Sequence, residues 1–337
     1  MRCCLVMRDV SKAFDKVWHY GLKYKLNNIR LPLILSKILC NFLDNRTAQI
    51  ALTNITGPPF PINSGVPQGS SISPTLYALY THDLPAAAPG CLNITYADDI
   101  TQIITYPGKS KNMLAKKVEN EITKINNYEK KWKIKTNTNK FTIIPIAMRD
   151  PPPITINDSV IPYSKDGTIL GIKISNRGIR SHITQRKNTA SIALAQLRRF
   201  YKLKTRIKTH IIKACIIPKL TYPSYPLNAS TKTAMQSLQH VQNKALRFAF
   251  SESYPYTKTI EEMHIASRLK PINITLYNRG NKTKEKMINE LNDVHYIELM
   301  TSDNENPKNH QWFRRPHLTL NKEPPEPIYT QADLLNV

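Results

Sequence analysis

Two adjacent carboxylates separate two apolar runs in the stretch Asn93-Ile94-Thr95-Tyr96-Ala97-Asp98-Asp99-Ile100-Thr101-Gln102-Ile103-Ile104. Runs rich in β-branched residues predict strands, and the Ala-Asp-Asp between them predicts the turn of a hairpin. A single Asp is an ordinary turn residue, because its side chain bonds to nearby backbone. Two neighbouring carboxylates repel each other, and a bound cation relieves that repulsion. Oxygen ligands of this kind suit Mg²⁺, so an ordinary turn and a metal site are both open.

The composition predicts a basic protein with a hydrophobic core. The chain has 337 residues, a net charge of +24 at pH 7 and 41% hydrophobic residues, and its pI is near 9.8. This length suits roughly two or three domains. The positive charge favours a polyanionic partner, nucleic acid before a membrane surface, although a merely soluble basic protein shares this composition.

The cysteines and the hydropathy exclude several classes of protein. The five cysteines have an odd count and no metal-finger spacing: Cys3, Cys4, Cys40, Cys91 and Cys215. They predict reduced thiols of an intracellular protein. The sequence contains no run of about 18 apolar residues, so it predicts no membrane span. Its N-terminus does not have the pattern of a signal peptide.

The first residues predict a strand that ends at a carboxylate. Residues 1–8 form a short apolar run, and Asp9 follows it. The apolar residues from Val10 to Trp18 have helical spacing. Asp9 is therefore either a functional group displayed at a strand end or the N-cap of a helix.

A second motif is the loop Gly65-Val66-Pro67-Gln68-Gly69-Ser70-Ser71-Ile72-Ser73-Pro74. Its glycines and prolines predict a rigid loop with exposed backbone. Ser73 and Pro74 predict the N-cap and first residue of a helix that continues to about Tyr80. The loop is therefore either a site that binds phosphate groups through free N–H groups or an ordinary connection between a strand and a helix.

The rest of the chain predicts a change from mixed structure to helices. A long helix is predicted over about 112–133, with strands at 141–146, 154–156 and 167–174. From His182 the pattern is helical and very basic, and Phe200, Tyr201, Tyr222 and Tyr225 lie among the basic residues. That mixture suits contact with the backbone of a nucleic acid duplex. A further helix is predicted over about 233–250, and the polar, Pro-rich residues after 302 predict a flexible tail.

Three motifs in order carry a resemblance that none carries alone. They are Asp9 with Ala13-Phe14-Asp15, the loop Gly65-Val66-Pro67-Gln68-Gly69-Ser70, and Tyr96-Ala97-Asp98-Asp99. Together they resemble the reverse transcriptase of non-LTR (LINE-type) retrotransposons, most of all the jockey-like elements. The similarity extends to about residue 280 and includes Gly167 to Ile174 and Leu238 to Arg247.

The resemblance implies an α+β fold, the right-hand polymerase. Its palm would be an antiparallel sheet backed by helices and would cover residues 1–178. A basic helical thumb would cover 179–228, a C-terminal helical region 229–300, and a flexible tail 301–337. Asp9 comes only eight residues after the chain start, so we expect the fingers to be largely missing and the chain to be an N-terminally truncated element protein.

The resemblance also implies a role for each motif residue. Asp9, Asp98 and Asp99 would be the catalytic carboxylates and would hold two Mg²⁺ ions, or Mn²⁺ in their place. Phe14 would be the steric gate against a ribose 2′-hydroxyl. Asp15 would be structural, and Gly171 would fall in the primer-grip hairpin. The other expected contacts, with nucleotide, template or primer end, are Gln68, Gly69, Tyr96, Ala97 and Lys140.

The implied activity is RNA-directed DNA synthesis from an RNA template, a DNA primer and dNTPs, without a membrane partner. The expected location is intracellular, with the nucleus for target-primed activity and the cytoplasm for synthesis of the protein. Two alternatives stay open. One is a catalytically inactive nucleic-acid-binding remnant, and the other is a reverse transcriptase of the intron-maturase type.

Overall fold

The computed structural model of the chain contains two compact units, Met1–Ile169 and Leu170–Val337. It describes residues 2–29, 31–52, 55–136, 141–156, 159–176, 178–228, 230–253 and 255–289, together with Pro327. Side chains are described up to residue 287 of the last helix. No helix in these ranges is long and apolar enough to cross a membrane.

Unit 1 mixes strands and helices. Its strands are β1 (Arg2–Asp9), β2 (Thr47–Ala48), β3 (Ala51–Leu52), β4 (Ile55–Thr56), β5 (Phe60–Pro61), β6 (Cys91–Tyr96), β7 (Asp99–Tyr106), β8 (Thr142–Ile146), β9 (Ile154–Ile156), β10 (Ser159–Ile161) and β11 (Asp166–Ile169). Its helices are α1 (His19–Asn28), α2 (Leu33–Leu43), α3 (Ser73–Thr81) and α4 (Lys111–Lys131). A short 3₁₀ turn covers Phe14–Lys16.

The main sheet of unit 1 has four antiparallel strands in the order β6-β7-β1-β8. Side chains alternate between the two faces of a strand. Cys4, Val6 and Ile104 are at most 1% exposed and pack against one face of α4. The predicted long helix and the antiparallel sheet that it backs are therefore confirmed.

The opposite face of the sheet is partly open. Leu5 and Met7 of β1 are buried there, and Gly167 of β11 lies close to Met7. An added Cβ at Gly167 would lie 2.8 Å from the Met7 sulfur. On the outer strand β6, Leu92 and Ile94 are 39% and 43% exposed, so this end of the face is accessible.

A second core lies between α1, α3 and the end of α4, and a buried lysine joins these helices. Lys25 is 2% exposed. Its Nζ donates to the Asp83 carboxylate at 2.5 Å and to the Tyr128 hydroxyl at 3.0 Å, and it lies 3.7 Å from the Trp132 ring centre. Desolvation lowers the pKa of Lys25, and the Asp83 charge opposes that shift.

Two local predictions in unit 1 are wrong, and hydrogen bonds explain both of them. The helix predicted over 10–18 does not form, because Ser11 N–H donates to the Lys135 carbonyl at 2.8 Å and Lys12 has a φ of +53°. Helix α1 begins at His19 instead. Ser73 is not the N-cap of α3, because its Oγ donates to the Pro67 carbonyl at 2.6 Å.

In its described residues, unit 2 contains one short strand and a set of helices. They are β12 (Ile172–Ser175), α5 (Arg180–Leu197), α6 (Thr205–Ile211), α7 (Ile217–Thr221), α8 (Ser224–Leu227), α9 (Lys232–Phe250), α10 (Ile260–Ser267) and α11 (Ile272–Asn289). A 3₁₀ turn (Arg198–Phe200) follows α5, and a π-helical turn (Ile212–Ile216) joins α6 to α7. The predicted helical, basic character of this region is confirmed.

Helix α9 is the centre of unit 2 and carries a buried polar network. Gln239 is 1% exposed. Its amide nitrogen donates to Asn243 Oδ1 at 2.7 Å, and its carbonyl accepts from Ile272 N–H at 2.8 Å. Gln242 donates to the Lys270 carbonyl at 3.0 Å. The polar residues between Leu238 and Arg247 therefore attach α10 and α11 to α9.

Candidate active site

Three predicted site residues form a row across the open face of the main sheet. Asp9 of β1 is the register partner of Asp99 of β7, and Asp99 is in turn the partner of Tyr96 of β6. Directly opposite residues of antiparallel strands lie about 4.5–5.5 Å apart and point to the same face. The fold therefore brings together two carboxylates that are separated by ninety positions in sequence.

The third carboxylate lies in the loop between the paired strands. Because Tyr96 pairs with Asp99, the loop contains only Ala97 and Asp98. Ala97 has a φ of +52°. A positive φ at the first loop residue alone is the pattern of a type II′ turn, which suits the twist of a hairpin. Asp98 is thus held next to the Asp9–Asp99 pair by a tight turn.

Behind this loop lies an aromatic pair. Tyr77 of α3 is 3% exposed, and its ring centre lies 5.2 Å from that of Phe14. Desolvation raises the pKa of Tyr77, and the negative charge of Asp98 raises it further. The Tyr77 phenol therefore remains protonated near Asp98, and it supports the predicted steric gate Phe14 from behind.

The Gly65 loop is bound to the segment that contains Phe14. Gly65 N–H donates to the Val17 carbonyl at 2.8 Å, and Val66 N–H donates to the Phe14 carbonyl at 2.7 Å. A Cβ at Gly65, whose φ is +86°, would lie 2.7 Å from the Asp15 carbonyl oxygen. Only glycine allows so close an approach in that conformation.

Gln68 is positioned by the same segment. Its amide Nε2 donates to Asp15 Oδ1 at 2.8 Å, so its amide oxygen is presented away from Asp15. Gly69 has a φ of +90°, and no atom of the described residues lies within 4 Å of an added Cβ. Asp15 thus accepts a hydrogen bond from Gln68, and its structural role stays a prediction. Lys140 lies outside the described residues.

A buried arginine supports the end of β1, and the sequence interpretation missed it. Arg8 is 2% exposed. It donates to Asn126 Oδ1 at 2.7 Å and to the Ile122 carbonyl at 2.9 Å, and it lies 3.5 Å from Glu129 Oε1. Desolvation lowers the pKa of Arg8, and Glu129 opposes that shift. An arginine directly after the apolar run Leu5-Val6-Met7 was the available signal.

A cleft of about 740 Å³ adjoins the aromatic pair and the loop. Its walls include Phe14, Tyr77, Thr95 and Ala97, together with residues 84–87. Asn93 also lines the cleft and donates to the Pro85 carbonyl at 3.0 Å.

The donor set has the chemistry of a site for a hard divalent cation. Asp9, Asp98 and Asp99 supply carboxylate oxygens, which are the ligands that Mg²⁺ prefers. Their backbone positions adjoin one another through the register and the two-residue loop. In the side-chain positions described, however, no three His, Cys, Asp or Glu groups are gathered closely enough to hold a metal ion.

Comparison with known proteins assigns the chain to a family. A family model described as reverse transcriptase (RNA-dependent DNA polymerase) matches residues 1–174. The chain belongs to the reverse transcriptase family. The sheet with the Asp9–Asp99 row is thus a reverse transcriptase palm, and the predicted α+β fold with a helical, thumb-like second unit is confirmed. The domain limits and the individual residue roles remain predictions.

Two relatives agree with the predicted class of element. The chain is 29% identical over 270 residues to the RNA-directed DNA polymerase from mobile element jockey of Drosophila melanogaster, covering 75% of this chain and 29% of that protein. It is 24% identical over 346 residues to the probable RNA-directed DNA polymerase from transposon X-element of the same species, covering 99% and 36%. The chain thus spans about a third of the length of these curated relatives.

A solved structure shares a weak likeness. It is telomerase from Candida albicans in complex with the TWJ fragment of telomeric RNA, 12% identical, with a TM-score of 0.42. The match covers 78% of this chain and 51% of that one. This TM-score is too low to support a conclusion about the reverse transcriptase chain.

Proposed function

We propose that the chain performs RNA-directed DNA synthesis as the polymerase part of a non-LTR retrotransposon protein. The reaction joins a primer 3′-hydroxyl to the α-phosphorus of a dNTP and breaks the bond to the pyrophosphate leaving group. The observation that carries the proposal is the register pairing of Asp9 with Asp99 beside the loop that holds Asp98.

In this reaction the residues of the chain mainly bind and orient. Asp9, Asp98 and Asp99 would hold two Mg²⁺ ions. When bound, those ions lower the pKa of the primer hydroxyl and neutralise the charge of the triphosphate. Tyr96 is 64% exposed next to Asp99, where its ring can pack against the primer end.

Selection of the nucleotide is assigned to the residues around the Gly65 loop. Phe14, supported by Tyr77, is in position to exclude a 2′-hydroxyl. Gln68, oriented by Asp15, presents its amide oxygen to the nucleotide or the template. Gly69 would allow close approach of a ligand, since an added Cβ would have no atom within 4 Å in the part of the chain that the structure describes. By the family resemblance, Lys140 would contact the leaving pyrophosphate.

The partners follow from this chemistry and from the charge of the chain. They are an RNA template, a DNA primer and dNTPs, and target-primed synthesis would take place in the nucleus. The net charge of +24 favours binding of both nucleic acid strands. The alternatives of an inactive remnant and an intron maturase gain no support from the relatives.

The test is primer extension on an RNA template with Mg²⁺, comparing the unmutated chain with Asp98→Asn. We expect extension by the unmutated chain and a loss of at least roughly 100-fold in the variant, since charge stabilisation by bound metal contributes several kcal/mol. The matched control is Asp150→Asn, an exposed aspartate with a φ of +46° that asparagine also tolerates. Equal extension by Asp98→Asn, or salt-sensitive RNA binding without any extension by the unmutated chain, would refute the proposal.

A further inference from the structure

Unit 2 contains a long region without acidic residues. Neither Asp nor Glu occurs between Asp166 and Glu252, whereas lysines and arginines recur throughout that interval. Such segregation produces a positive potential that attracts polyanions. By itself this charge does not distinguish a duplex from a single strand, since both are lined with phosphates.

The positive charge is concentrated where α5 turns into α6. We call residues 198–206 the α5–α6 corner. Helix α5 ends at Leu197, one 3₁₀ turn follows, and α6 begins at Thr205. The corner carries five exposed cationic side chains: Arg198, Arg199, Lys202, Lys204 and Arg206.

Two aromatic rings lie exposed among these cations. Phe200 is 39% exposed and Tyr201 is 62% exposed. The Arg199 guanidinium lies 5.1 Å from the centre of the Phe200 ring, and the Lys202 ammonium lies 5.8 Å from that of Tyr201. Within the described part of unit 2, neither ring belongs to the hydrophobic core. Their exposure is therefore not explained by packing.

The backbone of the corner is held in place by a buried lysine. Lys208 is 1% exposed, and its Nζ donates to the Tyr201 carbonyl at 3.3 Å and to Ser251 Oγ at 2.6 Å. Tyr201 N–H also donates to the Arg198 carbonyl at 3.1 Å. A surface whose shape is fixed before binding loses less conformational entropy when a ligand binds.

We propose that the α5–α6 corner is a binding site for single-stranded nucleic acid. Bases stack on the Tyr201 and Phe200 rings, and the phosphates of the same strand contact the surrounding cations. Exposed rings of this kind favour a single strand, because in a duplex the faces of the bases are already stacked and only the cations would be used. The site lies in unit 2 alone and binds without nucleotide transfer, so it goes beyond the proposed polymerase activity.

The test measures binding of labelled oligonucleotides to the full chain by fluorescence anisotropy, without dNTPs or Mg²⁺. The single-stranded probe is an unstructured pyrimidine oligomer of roughly ten nucleotides, within the site sizes usual for stacking proteins. The second probe is a duplex of the same length. Vesicles containing phosphatidylserine test a membrane surface as the occupant instead.

The variants separate stacking from charge. Tyr201→Ala is expected to weaken binding of the single strand roughly 5- to 150-fold, the usual effect of one lost stacking contact, and to leave the salt slope unchanged. Arg199→Ala is expected to reduce the slope of log K against log salt by about 0.7. Tyr201→Phe retains the ring and should bind as the unmutated chain does. Tyr20→Ala, which removes a 70% exposed ring of unit 1, is the matched control.

Three results would overturn the proposal. In the first, Tyr201→Ala binds the single strand as tightly as the unmutated chain does. In the second, Tyr201→Ala loses as much affinity for the duplex probe as for the single strand. In the third, the unmutated chain binds the vesicles in preference to the oligomer. Far-UV circular dichroism of each variant checks that the fold is retained. The binding test of Tyr201→Ala and the extension test of Asp98→Asn are independent, so a negative result in one does not change the conclusion of the other.

Discussion

Replacement of Arg8 by methionine should destabilise unit 1 strongly, because Arg8 is a buried charge with a buried partner. Removing one partner of such a pair costs about 3–5 kcal/mol. Here Arg8→Met removes the hydrogen bonds to Asn126 at 2.7 Å and to the Ile122 carbonyl at 2.9 Å. It also leaves the Glu129 carboxylate, in a residue that is 6% exposed, without its cation.

Two effects reduce this value. The Nε atom of Arg8 is buried and has no hydrogen-bond partner among the described residues, so its removal relieves a desolvation penalty of about 1–3 kcal/mol. Glu129 also keeps a hydrogen bond from Thr136 Oγ1 at 2.6 Å. We therefore expect a loss of about 2–4 kcal/mol in the free energy of unfolding.

A double-mutant cycle isolates the interaction between the two charges. Glu129→Gln keeps an acceptor for Thr136 and removes the charge. We expect the free energy of unfolding of the double variant to fall by about 1–2 kcal/mol less than the sum of the two single losses. An interaction energy of this size is usual for residues in contact.

Urea unfolding followed by tryptophan fluorescence provides the measurement, because two of the three tryptophans, Trp18 and Trp132, lie in unit 1. The buried-pair interpretation fails if Arg8→Met costs less than about 1 kcal/mol. It also fails if the two single losses add to within about 0.5 kcal/mol, as they do for independent sites.

Three further predictions concern other contacts of the fold. Gly65→Ala should lose more stability in urea unfolding than Gly69→Ala. Both positions have a positive φ, which costs an alanine about 1–2 kcal/mol. Only at Gly65 would the added Cβ also meet a carbonyl oxygen, at 2.7 Å. Equal losses would contradict the role assigned to that contact. Gln239→Leu should lower the free energy of unfolding of unit 2, followed by its helical circular dichroism signal, by about 1–3 kcal/mol, because it leaves the buried Ile272 N–H without its acceptor. The partly exposed Gln236→Leu serves as the control, and similar losses in both would argue against the network. Unit 2 should lose stability as the pH falls below about 6.5, because desolvation lowers the pKa of His182 and the unfolded chain then binds the proton first. His182→Gln should flatten that dependence in urea titrations at pH 5 and 7, and an unchanged slope would exclude His182 as its source.

The His182 prediction has a definite geometric origin. Its Nδ1 accepts from Lys173 N–H at 3.1 Å, and its Nε2 donates to the Tyr222 carbonyl at 2.9 Å. The neutral ring satisfies both partners. A second proton on Nδ1 would face a donor instead of an acceptor, in a residue that is 0% exposed.

Local patterns predicted the elements whose signal is strong over a short range. The period of apolar residues predicted α4 and α9, and the β-branched runs around Asp98 predicted the hairpin of β6 and β7. The same reasoning failed at 10–18, where the helical spacing is present but Ser11 bonds to Lys135. A residue more than a hundred positions away decided that conformation, and no local pattern records it.

The candidate site divides in the same way. The order and spacing of the motifs around Asp9, Gln68 and Asp98 were sufficient to identify the reverse transcriptase family. The roles predicted for those residues are untested by the structure, although it shows how their positions relate. Arg8 and Tyr77 were missed, because their burial depends on packing against α4 and on a ring contact with Phe14.

What the sequence alone determined is therefore the chemistry at hand: three carboxylates, a glycine-rich loop and an excess of positive charge, all of which are properties of residue type and spacing. What only the tertiary structure decided is adjacency. The register that pairs Asp9 with Asp99, the hydrogen bonds that attach the Gly65 loop to Phe14 and Val17, and the exposure of Tyr201 all depend on distant segments meeting. Such contacts form because apolar faces are buried together over the whole chain, and short stretches of sequence do not specify which faces will meet.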